Sequence, residues 1–278
     1  IESSQGRLPA VIHGTGPRPG RVKVSVAESS QYASALLLAA DHGGWQVDID
    51  TGGDASASRE ELPYVEMTAA LVRLFPKTGG TFTVEPDASS GSYFWGARAL
   101  LAARPATAAS NIAVADWPST GFQIDAEFPR RLPLPAELSR ERDLGDSIMT
   151  AIVMAPFAPH PTRFTDLGRL RVQECERVAA LRTELTKCGA RIEEQGDTLL
   201  VAPGPLRGAR IATYHDHRMA MCFAMLGLVV PGMVIEDPAC VRKTFPNFFA
   251  KLGAPAPAGL GATLVDPTTR VPLDPSSF

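Results

Sequence analysis

Four times along the chain a short polar stretch gives way to about ten nearly unbroken apolar residues, and a Ser or Asp stands at each junction. The junctions are Ser29-Ser30-Gln31 before YASALLLAA, Asp87-Ala88-Ser89-Ser90 before GSYFWGARALLAA, Asp146-Ser147 before IMTAIVMAPFA, and Asp216-His217-Arg218 before MAMCFAMLGLVV. Ser and Asp side chains accept hydrogen bonds from the unpaired amides of a first helical turn, so each junction reads as a helix start. The runs that follow carry no polar face, so each helix must be covered on nearly all sides. Their starts fall about 55 to 70 residues apart, longer than the period of common solenoids. The pattern therefore predicts repeated globular units, each built around a buried helix.

A second, amphipathic helix type alternates with the first: Leu62 to Phe75, Val172 to Cys188 and, shorter, Phe245 to Leu252. In the middle one, Val178, Leu181, Leu185 and Cys188 recur at helical spacing while Arg182, Glu184 and Lys187 face elsewhere. Gly189 then offers a terminating residue that tolerates positive φ. Short β-type runs follow, Ala190 to Ile192 and Thr198 to Val201. Strands alternating with two kinds of helix predict an α/β fold. Two stretches break the rhythm. Phe122 to Leu144 carries prolines and charges where a helix of the second type is due, and the Pro-, Gly- and Ala-rich residues after Leu252 read as a loosely packed tail.

Composition narrows the partners. Of 278 residues 21% are charged, with a formal net charge of −3, which gives no general attraction to nucleic acid or acidic membranes. Any anion must be held by a local cluster of Arg and Lys. No apolar run approaches the ~20 residues that span a bilayer, so no membrane partner is expected. The four cysteines (Cys175, Cys188, Cys222 and Cys240) form no C-x-x-C pair and have no histidine at zinc-finger spacing. They fit small buried side chains in a reducing cytoplasm.

Several clusters carry chemistry-bearing residues. Glu174 and Arg177, three apart, share a face near a helix start, a spacing that serves a solvated surface pair as well as a site. Asp216, His217 and Arg218 open a buried helix, where free amides, the helix dipole and an arginine favour an anion; equally, Asp216 caps the helix and Arg218 pairs with a neighbouring carboxylate. Arg242 and Lys243 precede a short aromatic helix, and Ser29-Ser30-Gln31 and Asp146 are open to a capping or a binding role. His215 and His217, two apart, are a poor basis for a metal site.

The clusters become informative through their order. ESSQYASALLLAA, PYVEMTAALVRLF, DASSGSYF, LGDSIMTAIVMAPFA, RVQECERVAALRTELTKCGARIEE, YHDHRMAMCFAM and DPACVRKTFPNFFAKLGA together resemble the EPSP synthase family from about Gly14 to Leu252. That resemblance implies a two-domain enolpyruvyl transferase fold built from repeated βαβαββ units. Its first domain is incomplete here: residues 1–84 fall in it, 85–255 in the second, and 256–278 form the tail. It implies transfer of the enolpyruvyl group of phosphoenolpyruvate to the 5-hydroxyl of shikimate-3-phosphate, on the route to chorismate and the aromatic amino acids, by a cytoplasmic monomer using no metal or organic cofactor. By the same resemblance, Ser29, Ser30 and Gln31 hold the shikimate phosphate, with Tyr64 on the same side. Asp146 engages the shikimate hydroxyls as proton acceptor, and Glu174 serves proton transfer at the enolpyruvyl methylene. Arg177 and Arg218 clamp the phosphoenolpyruvate carboxylate, Lys243 sits at its phosphate and moves protons, and His217 lies beside them.

The chain departs from the family in places. Gln173 stands where lysine is usual, Glu61 where a phosphate-contacting serine is, and Arg169 where asparagine is common. Pro76 to Glu85 and Phe122 to Leu144 are shorter, as if a strand pair and a helix had been trimmed. The family's first third, with its own phosphate site, has no counterpart, so the 278-residue chain is expected to be inactive alone. Two other readings stand beside this one: a non-catalytic anion-binding remnant, and the sister reaction on UDP-N-acetylglucosamine.

Overall fold

The computed structural model describes residues 1–26, 29–51, 55–102 and 112–278, those from 55 to 61 by their backbone alone. The chain divides into two compact units, Ile1–Thr83 and Val84–Phe278.

The first unit opens with a small antiparallel pair, β1 (Glu2–Ser3) and β2 (Ala10–Val11). A parallel pair follows, β3 (Gly20–Ser25) and β4 (Trp45–Asp50), in register from Gly20 opposite Trp45 to Ser25 opposite Asp50. A parallel connection needs a crossover, which α1 (Ser30–Gly43) supplies. Gly44 ends that helix at φ 66°, a conformation that costs glycine little. The second helix, α2 (Ala55–Leu74), lies on α1, where Ser34 and Thr68 join hydroxyls at 2.9 Å. The apolar centre is small: Val26, Ala33 and Val65, backed by Val24, Leu37 and Ile49. No strand occurs from Phe75 to Asp87, so the unit runs βαβα and stops where a strand pair would complete it.

The second unit holds most of the core. Helices α3 (Ala88–Ala102), α4 (Ile148–Met154) and α6 (His217–Gly227) pack against one another. All seven residues of α4 are buried, as its unbroken apolar run requires. The three helices meet closely at Gly96, where a Cβ would lie 3.0 Å from both Met154 Sδ and Thr150 Cγ2. The buried hydroxyls of Ser92 and Thr150 satisfy each other at 2.8 Å.

Around this layer runs one complete βαβαββ unit: β5 (Glu137–Ser139), α4, β6 (Thr162–Thr165), α5 (Arg177–Lys187), β7 (Arg191–Gln195) and β8 (Thr198–Ala202). The sheet order is β5-β6-β8-β7; β5 and β6 are parallel, and β8 is antiparallel to both neighbours. Gln195 pairs with Thr198 across a two-residue turn whose first residue, Gly196, has φ 55°. A shorter repeat follows, with β9 (Arg210–Ile211) and β10 (Val234–Ile235) parallel on either side of α6, then α7 (Phe248–Gly253).

Three sequence expectations need correction. The helix expected over Val172 to Cys188 begins only at Arg177, because Glu176 turns out of helical geometry and caps α5 by accepting from the Ala179 amide. The helix expected from Phe245 begins at Phe248. The tail is not loosely packed: Leu260, Ala262, Leu264 and Phe278 lie on the core, Phe278 stacks 5.1 Å from Phe249, and Leu260 and Ala262 donate to the carbonyls of Lys251 and Leu252. Its apolar residues are sparse, and these four find neighbours that periodicity does not reveal, while Val265 and Val271 stay exposed. The proline-rich stretch from Phe122 holds a 3-10 turn, Ile124–Arg131, that buries Phe128 completely.

Candidate active site

One end of the α4–α6 layer gathers four basic side chains and three carboxylates. Arg177, the first residue of α5, is 1% exposed, with its guanidinium surrounded by acceptors. Its Nε donates to Asp216 Oδ2 at 2.7 Å, and its Nη2 to Asp216 Oδ1 at 3.3 Å and to Glu174 Oε2 at 2.7 Å. Its Nη1 donates to Gln173 Oε1 and lies 3.6 Å from Asp146 Oδ2. An arginine this deep is tolerable only if nearly every N–H has a partner.

Asp146 is the hub of the other half. Arg140 Nη2 donates to its Oδ1 at 2.9 Å, and Arg218 Nε stands 3.3 Å from Oδ2 without hydrogen-bond alignment. Arg218 also donates from Nη1 to Ser89 Oγ, which ties α6 to the start of α3. Lys243 closes the group from the 3-10 turn Pro238–Lys243; it is 60% exposed and donates to Glu174 Oε1 at 2.8 Å. Four cations face the carboxylates of Asp146, Glu174 and Asp216, the local cluster of Arg and Lys that an anion needs in a chain whose net charge is −3.

Burial and these cations pull the acids in opposite directions. Desolvation alone would raise Asp146, but Arg218, Arg140 and Arg177 hold it well below the usual carboxylate range. Glu174 is likewise lowered against burial, by Lys243 and Arg177, and Asp216 chiefly by Arg177. His217 is pushed down by burial and by Arg218; its Nδ1 is buried without a hydrogen-bond partner, 4.0 Å from Asp216 Oδ1. Asp125 behaves differently. Burial raises it, and it accepts from the Ser147 amide at 2.9 Å. Tyr93, buried in the same layer, is raised by desolvation against the pull of Arg218.

Asp146, Glu174, Arg177, His217, Arg218 and Lys243, all singled out in the sequence, therefore come together in the second unit. Asp216 does cap α6, its Oδ1 accepting from the Arg218 amide at 2.8 Å. Asp146 caps nothing; Ser147 occupies the cap position of α4, and Asp146 is spent on arginines. The Glu174–Arg177 pair forms, but Glu174 lies before the helix, and Arg177 is buried where a solvated surface pair is not. Sequence reasoning missed Arg140, Ser89 and Tyr93. Arg140 sits in the charged run SRERD, which carries no pattern separating it from surface charge. Gln173, marked as a departure, accepts from Arg177. The Glu61 side chain lies outside the described residues.

Ser29, Ser30, Gln31 and Tyr64 belong to the first unit. Ser29 Oγ caps α1 by accepting from the Gln31 amide at 3.2 Å, Ser30 is buried, and the Gln31 side chain is exposed. Tyr64 lies on α2, half-buried, with its carbonyl accepting from Thr68 Oγ1 at 2.8 Å. Among the described residues no cluster of His, Cys, Asp and Glu is disposed to hold a metal, and no helix is long and apolar enough to cross a membrane.

Comparison with known proteins agrees on one family. Residues 73–252 match the family described as EPSP synthase (3-phosphoshikimate 1-carboxyvinyltransferase). A 3-phosphoshikimate 1-carboxyvinyltransferase of Nostoc punctiforme is 34% identical over 282 residues, covering 90% of this chain and 65% of the relative. One of Rhizobium etli (strain CIAT 652) is 35% identical over 279 residues, covering 91% and 64%. One of Pseudomonas syringae pv. syringae is 34% identical over 278 residues, covering 91% and 65%. Among solved structures, an EPSP synthase from Acinetobacter baumannii aligns with a TM-score of 0.60 at 18% identity, over 90% of this chain and 65% of that one, a likeness of fold. The chain thus spans about 65% of the length of the curated relatives it matches.

Proposed function

Because the chain belongs to the EPSP synthase family, we propose that it carries the phosphoenolpyruvate-handling half of an enolpyruvyl transferase acting on shikimate-3-phosphate. The observation that carries this reading is the convergence of Arg177, Arg218 and Lys243 around Glu174 and Asp146.

The chemistry asks for such a set. The shikimate 5-hydroxyl loses its proton as its oxygen bonds to C2 of phosphoenolpyruvate, and C3 gains a proton. The tetrahedral adduct then breaks its C2–O bond to phosphate, C3 loses a proton and the double bond returns. A carboxylate and a phosphate must be neutralised, and two proton transfers must be served on separate atoms. Planar guanidinium groups suit the carboxylate, and a mobile ammonium suits the phosphate.

The electrostatics supply a switch between binding and catalysis. Asp146 and Glu174, held low by their cations, are weak bases. An incoming carboxylate on Arg177 and Arg218, and a phosphate on Lys243, takes over the charges that hold them down. Burial then acts with less opposition, and both acids rise toward values at which they exchange protons. In this reading Asp146 takes the hydroxyl proton and Glu174 serves the methylene. Ser29, Ser30, Gln31 and Tyr64 are assigned to the shikimate phosphate.

The test is phosphate release from phosphoenolpyruvate and shikimate-3-phosphate by the chain combined with the N-terminal segment of a relative. Release that Glu174→Ala or Arg218→Ala abolishes supports the reading. A folded combination that binds both substrates and releases nothing refutes it.

A further inference from the structure

Immediately before Asp216, two consecutive non-glycine residues adopt the left-handed conformation: Tyr214 and His215, each at φ 56°. Residues with side chains seldom enter this region, and consecutive ones persist only where the surroundings impose them. Two sets of contacts impose them here. Glu184, completely buried on α5, accepts from the Tyr214 hydroxyl at 2.8 Å and from the Ala212 amide at 3.2 Å. Lys187, one turn on, donates to both Glu184 oxygens at 2.8 Å and balances the charge. His215 is held separately, by Asp237 Oδ2 at 2.8 Å.

Arg177 and Glu184 are seven residues apart, two helical turns, so they lie on one face of α5. Each grips one end of the same short segment: Glu184 holds Ala212 and Tyr214, and Arg177 holds Asp216. The left-handed pair lies between the two grips. Asp216 in turn caps the helix whose second residue is Arg218, so the direction of that guanidinium depends on how the chain leaves the turn.

We propose that Glu184 is a positioning residue for the anion site, holding the Tyr214–His215 turn in its left-handed form so that Asp216 stays on Arg177 and Arg218 faces the ligand. This rests on the reading of Arg177 and Arg218 as a carboxylate clamp. Glu184 does not touch the ligand; it acts through Tyr214.

The test compares the full chain with Tyr214→Phe, Glu184→Gln and the double variant Glu184→Gln/His215→Asn, by phosphoenolpyruvate titration and by exchange protection of the Arg218 amide and the Arg177 Nε–H. Tyr214 is 41% exposed, so Tyr214→Phe removes one hydrogen bond from a chain that stays folded, and the melting temperature verifies this. Tyr214→Phe is expected to weaken phosphoenolpyruvate binding about tenfold and to lower protection at both N–H groups. Asparagine tolerates the left-handed region, so His215→Asn is expected to restore part of the affinity lost in Glu184→Gln, which repair of general stability would not do. Unchanged affinity and protection in a folded Tyr214→Phe chain overturn the proposal. If the unaltered chain does not bind phosphoenolpyruvate while the variants still lose protection, the clamp reading fails and the positioning role stands.

Discussion

Replacing Asp216 by Asn tests whether the buried charge pair with Arg177 is part of the fold as well as of the site. Asp216 is fully buried; its Oδ2 meets Arg177 Nε at 2.7 Å, and its Oδ1 accepts from the Arg218 amide. Asparagine keeps the shape and the capping oxygen but turns an NH2 toward the Arg177 donor and removes the charge. Arg177 then keeps Glu174 at 2.7 Å and Asp146 at 3.6 Å. Removing one partner of a buried pair costs about 3–5 kcal/mol, and the retained cap argues for the lower end, ~3 kcal/mol. For a unit of this size that lowers the melting temperature by about 6–12 °C near neutral pH. The pH dependence fixes the cause. Arg177 holds the folded pKa of Asp216 below its ordinary value, so the pair's contribution is complete above the unfolded pKa and is lost as pH falls through the folded one. The gap between the two proteins should therefore be constant above about pH 5 and narrow toward about pH 3. Circular dichroism melts at both ends of that range are the assay. Melting temperatures within a degree or two of each other near neutrality, or a gap that does not shrink in acid, refute the reasoning.

Gly208→Ala should lower the urea midpoint by an amount equivalent to about 1–3 kcal/mol without changing the slope, because the new Cβ would lie 2.4 Å from the backbone of Pro231 and Gly232, which cannot rotate away. Lys243→Ala removes a mostly exposed side chain, so the melting temperature should hold while phosphoenolpyruvate binding weakens tenfold or more; a dissociation constant within about twofold of the original contradicts its assignment to the phosphate. Burial pushes Cys222 and Cys175 up to about 12 and Cys188 and Cys240 up to about 11, so iodoacetamide near pH 8 should label the native chain slowly and all four thiols after denaturation, read by intact mass.

What the sequence discloses here is local, and what it conceals is contact between distant segments. The caps at Ser29 and Asp216 were legible because a cap is a relation between a side chain and an amide two residues on. Asp87 fits the same rule, accepting from the amides of Ser89 and Ser90. Asp146 breaks it because its carboxylate turns to Arg140, Arg177 and Arg218 and makes no bond to an amide of α4. The two helix types can be set out from apolar periodicity and capping residues; the βαβαββ order and the grouping of Glu174, Arg177, Arg218 and Lys243 in one site come only as what the family resemblance implies, since spacing alone leaves each cluster open to a surface or capping role. The pairing of Arg177 with Asp216, 39 residues away, has no signature in either segment. Arg140 looks like any other residue of a charged loop until the turn after β5 folds it onto Asp146, six residues on.

That concealed pairing changes what the site is. Read from sequence, Arg177 has one neighbour, Glu174, three residues before it; in the fold, four side chains of the chain itself already surround it. An anion arriving there gains only the difference between its own bonds and those it displaces, so Arg177 contributes less net affinity than its charge suggests. The displaced groups matter more. Asp216 is buried and bound also by the Arg218 amide, so it stays. Gln173 and Glu174 are the partners able to yield, and Glu174 is the acid assigned to the methylene proton. In the proposed reading, binding and release of the acid are then one event: the clamp holds its own acid as a charged weak base until an anion takes the clamp. Gln173 makes the exchange easier than a fourth carboxylate would, since displacing a neutral amide leaves no unpaired charge behind.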